Sequence, residues 1–337
     1  MRVHGFPEAW RSLFHWLFDG ELGVRWFFLI SGYLITWLLL KERDHTGDIN
    51  LGRFYLRRGL RLMPVYFAYL ATLVTLQWMT IYSQRPLEWF GNIVFLTNFV
   101  GCTWPGAHLW SLAVEQQFYL VWPILLAYLT KRETSHKSTL MVLLVPLILS
   151  PLCRVVSYTQ GYQGPLSFIF TSHSFFNYFD SLAIGCMAAT VFARNPDRVQ
   201  EILIKHRVPI SIFAGILVLT PYILSKLFLL GIITVPIGPT MQALGFAIFM
   251  LQSIQFPEGF AGWRLLNHKF IAEIGVLSYS LYIWQQLFCT DPDIFGFPAA
   301  WWNGFPFWLA ATTIVAMISY YGLEKPLVKL RAKLRKT

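Results

Sequence analysis

The chain has 337 residues, of which 55% are hydrophobic, 17% are aromatic and only 13% are charged. Soluble globular proteins carry about a quarter charged residues, so this composition excludes an ordinary water-soluble domain. The net charge of +10 would suit nucleic acid, but Lys and Arg lie in short clusters between apolar runs, as in the cytoplasmic loops of membrane proteins. We therefore expect anionic membrane lipids as partners and no nucleic acid.

Nine apolar runs are long enough to cross a bilayer, since a spanning helix needs roughly 20 mostly apolar residues. In chain order they are Leu22–Leu40, Pro64–Tyr82, Leu109–Thr130, Leu140–Val156, Phe175–Ala193, Pro209–Ser225, Ile237–Gln255, Phe270–Cys289 and Trp301–Leu323. The segment Trp89–Val100 is too short and is predicted to form a half-helix at the membrane interface. Open sheets cannot cross lipid, and no alternating strand pattern is present in the sequence. The predicted fold class is therefore all-α, a polytopic transmembrane helix bundle.

The basic segments predict how the chain is oriented. With 41–63 in the cytoplasm, the alternation of spans places further basic segments on the same side, namely 131–137, 194–207, 256–269 and the tail 325–337. The segments 157–174 and 291–300, predicted outside, contain no Lys or Arg. This alternation requires that Trp89–Val100 does not cross, and it puts the N-terminus outside, so we expect a further helix before Met1. A single membrane domain over 1–337 accounts for the whole chain.

An arginine-rich segment precedes the second predicted span. Arg57 or Arg58 and Arg61 are three or four residues apart and therefore share one face of a helix. Guanidinium groups bind phosphate through paired hydrogen bonds, so this patch suits a phosphorylated ligand such as coenzyme A. The alternative is a topology anchor in which the same arginines contact lipid phosphates.

Glu115 and Asp180 lie inside predicted spans, where an unpaired carboxylate is costly and is therefore a candidate functional group. Glu115 follows His108 in the same segment, and His108 is a candidate base or partner for it. Asp180 lies in the span 175–193 and could orient a His or Arg on another helix. Each carboxylate could instead be a structural group that is bonded to a neighbouring helix.

Other polar side chains mark two further spans. Tyr279 and Tyr282, with the serines beside them, supply hydrogen bonds along one helix and could serve only as contacts between helices. Arg25, near the outer end of the first span, is expected to snorkel to the interface or to pair with an acid. The four cysteines have no C-x-x-C spacing, so no metal site or disulfide framework is expected.

Five segments, in this order, resemble the acyltransferase 3 family, whose members are integral membrane O-acyltransferases acting on bacterial surface polysaccharides and related acceptors. The segments are Gly23–Ile35, Phe54–Arg61, His108–Tyr119, Ser278–Trp284 and Glu324–Pro326. The resemblance implies about ten helices in the plasma membrane, no bound cofactor, and cytoplasmic acyl-CoA as co-substrate, with acetyl-CoA as the default donor. Arg58 and Arg61, with Arg57 beside them, would bind this donor. The acceptor would be a carbohydrate or a lipid-linked glycan presented from outside.

The resemblance implies that Glu115, Phe118 and Tyr119 line the reaction chamber, and the residue types themselves add further candidates. Acyl transfer to a hydroxyl needs a general base and hydrogen-bond donors for the oxyanion at the thioester carbonyl. The candidate catalytic residues are Glu115, His108 and Asp180. The candidate pocket-lining residues are Ser31, Trp110, Ser111, Phe118, Tyr119, Tyr279, Tyr282 and Gln285.

The chain departs from the family pattern in two places. The usual base is a His that follows an Arg at a fixed spacing in the first helix, and neither His4 nor His15 has that Arg. Gln285 stands where related sequences usually carry a His. We therefore expect the base on a helix that precedes Met1. Otherwise the chain is a truncated and inactive relative, or it would have to recruit His4 or His108.

A transporter or flippase of a glycolipid or small polar substrate is the alternative from a different class. Membrane carboxylates and arginines also line transport paths. Transporters often show internal symmetry, and the sequence shows none. Consumption of an acyl donor separates the two functions.

Overall fold

The computed structural model describes residues 20–131, 136–159, 173–257, 261–289, 295–296, 304 and 306–333. Within these residues the regular elements are helical and no strand is present, which confirms the all-α fold class. His4 and His15 lie outside the described residues. Among the described residues, seven helices are long and apolar enough to span a membrane: Gly20–Thr46, Leu51–Trp78, Trp104–Lys131, Ser138–Thr159, Phe175–Arg194, Arg207–Lys226 and Gly231–Gln255. They coincide with the first seven predicted spans and confirm a polytopic membrane protein.

The last two predicted spans differ from the first seven. Phe270–Cys289 falls in a 20-residue helix, Lys269–Phe288, whose Ser, Tyr and Gln side chains make it less apolar than the seven. Trp301–Leu323 is described only in part, and there a helix at Phe307–Ser319 continues into a π-helical turn at Tyr320–Glu324. Length and hydropathy therefore support seven spans in the described chain, where nine were predicted.

The described chain divides into two compact units. The first unit contains Asn50–Trp110 and the described part of Leu265–Thr337, and the second contains the described parts of Phe18–Ile49 and Ser111–Arg264. The α-helices, in chain order, are α1 (Gly20–Thr46), α2 (Leu51–Trp78), α3 (Pro86–Ile93), α4 (Thr97–Val100), α5 (Trp104–Ala107), α6 (Leu109–Lys131), α7 (His136–Thr159), α8 (Phe175–Arg194), α9 (Pro196–Lys205), α10 (Arg207–Lys226), α11 (Gly231–Gln255), α12 (Ala261–Leu266), α13 (Lys269–Phe288), α14 (Phe307–Ser319) and α15 (Lys325–Lys333).

Three short helices follow α2 in the first unit. Two buried tyrosines of α2 hold this region by donating hydrogen bonds to backbone carbonyls, Tyr66 to Asn92 at 2.7 Å and Tyr69 to Pro105. Helices α3, α4 and α5 have 8, 4 and 4 residues. A helix rises about 1.5 Å per residue, so none of the three can cross a bilayer, which agrees with the prediction for Trp89–Val100.

A buried carboxylate fixes the segment that leads into α5. Glu88 accepts hydrogen bonds from Thr103 Oγ1 at 2.6 Å and from Arg85 Nε at 2.7 Å. Burial by itself raises the pKa of Glu88, but these hydrogen bonds and the charge of Arg85 outweigh burial and lower the pKa below its ordinary value. Glu88 is therefore ionised at neutral pH and ties α3 to the start of α5.

Helices α1 and α8 of the second unit approach each other more closely than any residue with a side chain would allow. A Cβ atom at Gly32 would lie 2.2 Å from the carbonyl oxygen of Leu182, and one at Gly185 would lie 2.1 Å from that of Leu29. Small residues are the usual means of such close approach in membranes, where packing replaces the hydrophobic effect. The buried apolar core around this contact includes Leu29, Tyr33, Ile184, Val218, Phe246 and Met250.

Helices α1 and α6 run parallel. Trp122 Nε1 donates to Thr36 Oγ1 at 2.8 Å, and Arg43 Nη2 donates to the carbonyl of Thr130 at 3.2 Å, so later residues of α1 meet later residues of α6. Parallel spans begin on the same side of a membrane, so the chain between them crosses an odd number of times. Within 47–108, which the structure describes completely, α2 is the one helix long enough to cross.

The close contact of α1 and α8 predicts a strong response to an added methyl group. Gly32→Ala and Gly185→Ala should each lower the melting temperature of the detergent-solubilised protein by several degrees, because the added Cβ would meet backbone atoms that cannot move aside. Gly215→Ala on α10 is the matched control, since nothing lies within 4 Å of its Cβ position. An equal effect of all three substitutions would contradict the assigned helix contact.

Candidate active site

The carboxylate of Glu115 is held by two hydroxyl groups in the second unit. Ser31 Oγ of α1 donates to Glu115 Oε1 at 2.7 Å, and the hydroxyl of Tyr119, one turn further along α6, donates to the same oxygen. The hydroxyls of Ser31 and Tyr119 also contact each other. All three residues are buried, and Glu115 is only 2% exposed. The structure therefore brings together three residues that the sequence proposed for the site.

Aromatic rings continue this polar cluster along α6. Phe118 and Trp122 stack with ring centroids 6.3 Å apart, and both are buried. Residues 115, 118, 119 and 122 are three or four apart and so form one face of α6. Three of these residues, Glu115, Tyr119 and Trp122, form hydrogen bonds with α1. Glu115 thus lies on a buried face of α6 that combines polar and aromatic side chains.

Asp180 belongs to a second buried network. Its carboxylate forms an ion pair with Arg154 of α7 and accepts a hydrogen bond from Thr240 Oγ1 at 2.5 Å. Arg154 also donates from Nη1 to the carbonyl of Pro236 at 2.6 Å and from Nε to that of Asn177 at 3.1 Å. The ion pair connects α7, α8 and α11, and its groups are closely hydrogen-bonded. The catalytic role of Asp180 stays a prediction, while the geometry supports a positioning role.

His108 lies in the first unit among aromatic rings. It is 7% exposed, and its Nε2 is 3.1 Å from the carbonyl oxygen of Ile283, to which it donates. The hydroxyl of Tyr282 donates to the His108 carbonyl at 3.0 Å. The rings of Tyr69 and Tyr282 form edge-to-face contacts with the imidazole, with centroids 5.3 and 5.4 Å away. Backbone and ring contacts therefore fix the orientation of the imidazole.

Three of the five motif segments meet around the arginine patch of α2. Arg57 and Arg58 are half-buried and Arg61 is exposed. The hydroxyl of Tyr279 donates to the carbonyl of Leu62 at 2.6 Å. On the π-helical turn, buried Glu324 accepts a hydrogen bond from Ser280, and the charge of Arg61 acts on its carboxylate.

The remaining residues that the sequence proposed for the site, Trp110, Ser111 and Gln285, are buried or half-buried in the helices. Ser111 is buried at the start of the second unit, and Trp110 is half-buried in the first. Gln285 is half-buried on α13, while the neighbouring Gln286 donates to the carbonyl of Trp104 at 3.0 Å. Within the described chain, no group of three or more His, Cys, Asp or Glu could hold a metal ion, and all four cysteines are free thiols.

Sequence reasoning missed Arg154 and Glu324. Arg154 lies inside the predicted span Leu140–Val156, where a charged residue is itself a signal of a buried partner. Glu324 stands at the end of the last predicted span and was used only as part of a motif. In both cases a charged residue in an apolar region indicates a buried partner. The sequence does not identify that partner, because it lies on another helix.

Comparison with known proteins identifies what the chain is similar to. The sequence model described as an acyltransferase domain matches residues 2–322. The chain is 26% identical to the peptidoglycan O-acetyltransferase OatA of Listeria monocytogenes, over 95% of this chain and 53% of that protein. It is 28% identical to the O-acetyltransferase OatA of Staphylococcus aureus, over 93% and 53%. The chain thus spans about half the length of the curated relatives it matches. No solved structure matches it.

The ion pair of Arg154 and Asp180 predicts strongly coupled substitutions. Arg154→Met alone or Asp180→Leu alone should lower the free energy of unfolding by about 3–5 kcal/mol, because each leaves one buried charge without its partner. The double variant should be more stable than either single variant. Chemical unfolding in mixed micelles measures all three, and losses that simply add would contradict the pairing.

Proposed function

This chain belongs to the acyltransferase 3 family, and we propose on that basis that it is a membrane O-acyltransferase. The resemblance carried by the five sequence segments is thereby confirmed as a family relationship. The seven long apolar helices of its described part make the chain a multi-pass protein of the cell membrane. The acyl group is acetyl, and the acceptor is a hydroxyl of a cell-envelope carbohydrate, of which peptidoglycan is the example named for its relatives. The family match over residues 2–322 is the observation that carries the proposal.

The donor is acyl-CoA bound from the cytoplasm by Arg57, Arg58 and Arg61. Half-buried and exposed guanidinium groups at the start of α2 suit the phosphates of coenzyme A, which are charged and must remain reachable from water. The electrostatic interaction between Arg61 and the buried carboxylate of Glu324 supports this assignment, because it connects the patch with another of the motif segments. Tyr279 supports it by fixing the backbone at Leu62.

The chemistry requires one proton to move and one carbonyl oxygen to be stabilised. The acceptor hydroxyl attacks the thioester carbon and gives up its proton to a base, while the sulfur of coenzyme A leaves and is protonated. Within the described chain Glu115 of the second unit is the proposed base, in place of the His that the family resemblance led us to expect on a preceding helix, and Ser31 and Tyr119 orient its carboxylate through their hydroxyl groups. His108 stays the second candidate, with its ring held by Ile283.

Donor binding tests the proposal without requiring the acceptor. The protein reconstituted in phosphatidylcholine nanodiscs is titrated with acetyl-CoA by calorimetry. Arg58→Ala and Arg61→Ala should each weaken binding roughly tenfold or more, because each removes a charge-assisted hydrogen bond to phosphate. Arg198→Ala, an exposed arginine of α9, is the control and should leave the affinity unchanged.

These measurements also distinguish an acyltransferase from the alternative, a transporter. Affinity for acetyl-CoA that is unchanged in both patch variants would contradict the assigned donor site. Movement of a glycolipid across proteoliposomes without consumption of acetyl-CoA would instead support a transporter. Release of free coenzyme A together with acetylated glycan is the result expected of the acyltransferase.

A further inference from the structure

A cationic cluster lies at one end of α1, α7 and α8 in the second unit. Arg25 of α1 is 7% exposed, and its guanidinium carbon lies 4.6 Å from the ring centroid of Tyr178. Its Nη2 is 3.8 Å from Glu21, whose side chain is 62% exposed. Its buried Nη1 has no hydrogen-bond partner among the residues that the structure describes. Arg25 therefore presents an unused donor from a fixed and nearly buried position.

The buried residues of this cluster carry more positive than negative charge. Asp180 is committed to Arg154, whose Nε, Nη1 and Nη2 are all hydrogen-bonded. Arg25 is close enough for its charge to act on Arg154. Glu21 compensates little, because its own side chain is 62% exposed to solvent and lies 3.8 Å from Nη2. Two buried guanidinium groups thus share one buried carboxylate, and an additional anion would remove the excess positive charge.

The ring of Tyr178 determines which side of Arg25 remains available. Phe28 contacts Tyr178 edge to face, with centroids 5.6 Å apart, and so fixes the ring. The ring covers one face of the guanidinium, as in other cation–π contacts, and the buried Nη1 at the edge makes no hydrogen bond with the described residues. A planar guanidinium edge is suited to the two oxygens of a carboxylate.

The position of the cluster relates it to the acceptor. Helices α1 and α8 begin here, at Gly20 and Phe175, and α7 ends here at Thr159. The basic segments 41–63 and 194–207 follow the other ends of α1 and α8. In the orientation predicted from those segments, the cluster faces outward, where a cell-envelope carbohydrate is presented.

We propose that Arg25 is the receptor for a carboxylate on the acceptor, so that the substrate class of this protein is an acidic carbohydrate. That Arg25 binds a carboxylate follows from its own contacts, and only the statement that this carboxylate belongs to the acceptor rests on the proposed function. Arg25 recognises the charged group, and Tyr178 holds the guanidinium in place for it. Neither residue takes part in the transfer of the acyl group.

A matched pair of sugars tests the charge directly. The disaccharide of N-acetylglucosamine and N-acetylmuramic acid carries one carboxylate, and its methyl ester has nearly the same shape without the charge. Each is titrated by calorimetry against the full chain in phosphatidylcholine nanodiscs. The wild type should bind the acid roughly tenfold more tightly than the ester, and Arg25→Gln should bind both with the affinity of the ester. Tyr178→Phe keeps the ring and should keep the preference, whereas Tyr178→Leu should lose it.

Several results would overturn the proposal. They are equal binding of acid and ester by the wild type, no measurable binding of either, or a preference that survives Arg25→Gln in a variant with a wild-type melting temperature. Adding phosphatidylglycerol to the nanodiscs supplies a lipid anion, and Arg25-dependent loss of the sugar preference would assign the site to lipid and not to the acceptor.

Acetyl transfer measured in the same samples keeps the two proposals apart. A preference for the acid without any acetyl transfer supports the anion site and counts against the enzyme. Equal transfer to acid and ester by both the wild type and Arg25→Gln supports the enzyme and overturns the anion site.

Discussion

A carboxylate can remain inside a lipid-embedded helix only if other protein groups bond to it, and the arrangement of Glu115 satisfies this constraint. No water is available at such depth to solvate an unpaired polar group. Ser31 reaches Glu115 from α1, and Tyr119 reaches it from the next turn of α6. The hydrogen bond to Glu115 therefore requires that α1 packs beside α6. Further contacts made by Thr36 and Arg43 of α1 keep the two parallel helices in register.

The same constraint explains two further buried carboxylates of the described chain. Asp180 bonds to Arg154 and Thr240, and Glu324 bonds to Ser280. Each contact joins segments that are far apart in the sequence, so the polar groups also specify which helices pack together. Glycine completes this arrangement at α1, because Gly32 follows Ser31 and allows α8 to approach the backbone at the level of the polar cluster. Ser31, which bonds to Glu115, and Gly32, which allows α8 to pack closely, are thus neighbours on α1.

The sequence predicts the helical class and the first seven spans because long apolar runs have one stable form in lipid. It also predicts that Glu115 and Asp180 need partners, but it does not identify Arg154, because pairing between distant helices leaves no local pattern. Nor does any sequence pattern indicate that the backbone carbonyl of Ile283 accepts a hydrogen bond from His108. The last two spans were harder to predict, since hydrogen-bonding side chains such as Ser280 and Gln286 lower the hydropathy of α13 while serving contacts inside the protein.

The role assigned to Glu115 can be measured with one substitution. Gln at position 115 keeps an oxygen that accepts from Ser31 and Tyr119 but cannot take up a proton as a carboxylate does. Transfer of labelled acetyl from acetyl-CoA to peptidoglycan fragments is followed in proteoliposomes for the wild type, Glu115→Gln and the exposed-residue control Glu273→Gln. We expect Glu115→Gln to melt near the wild-type temperature and to lose roughly 100-fold or more in rate, as removal of a general base does, with Glu273→Gln unaffected. A folded Glu115→Gln variant that transfers acetyl at the wild-type rate would contradict the account.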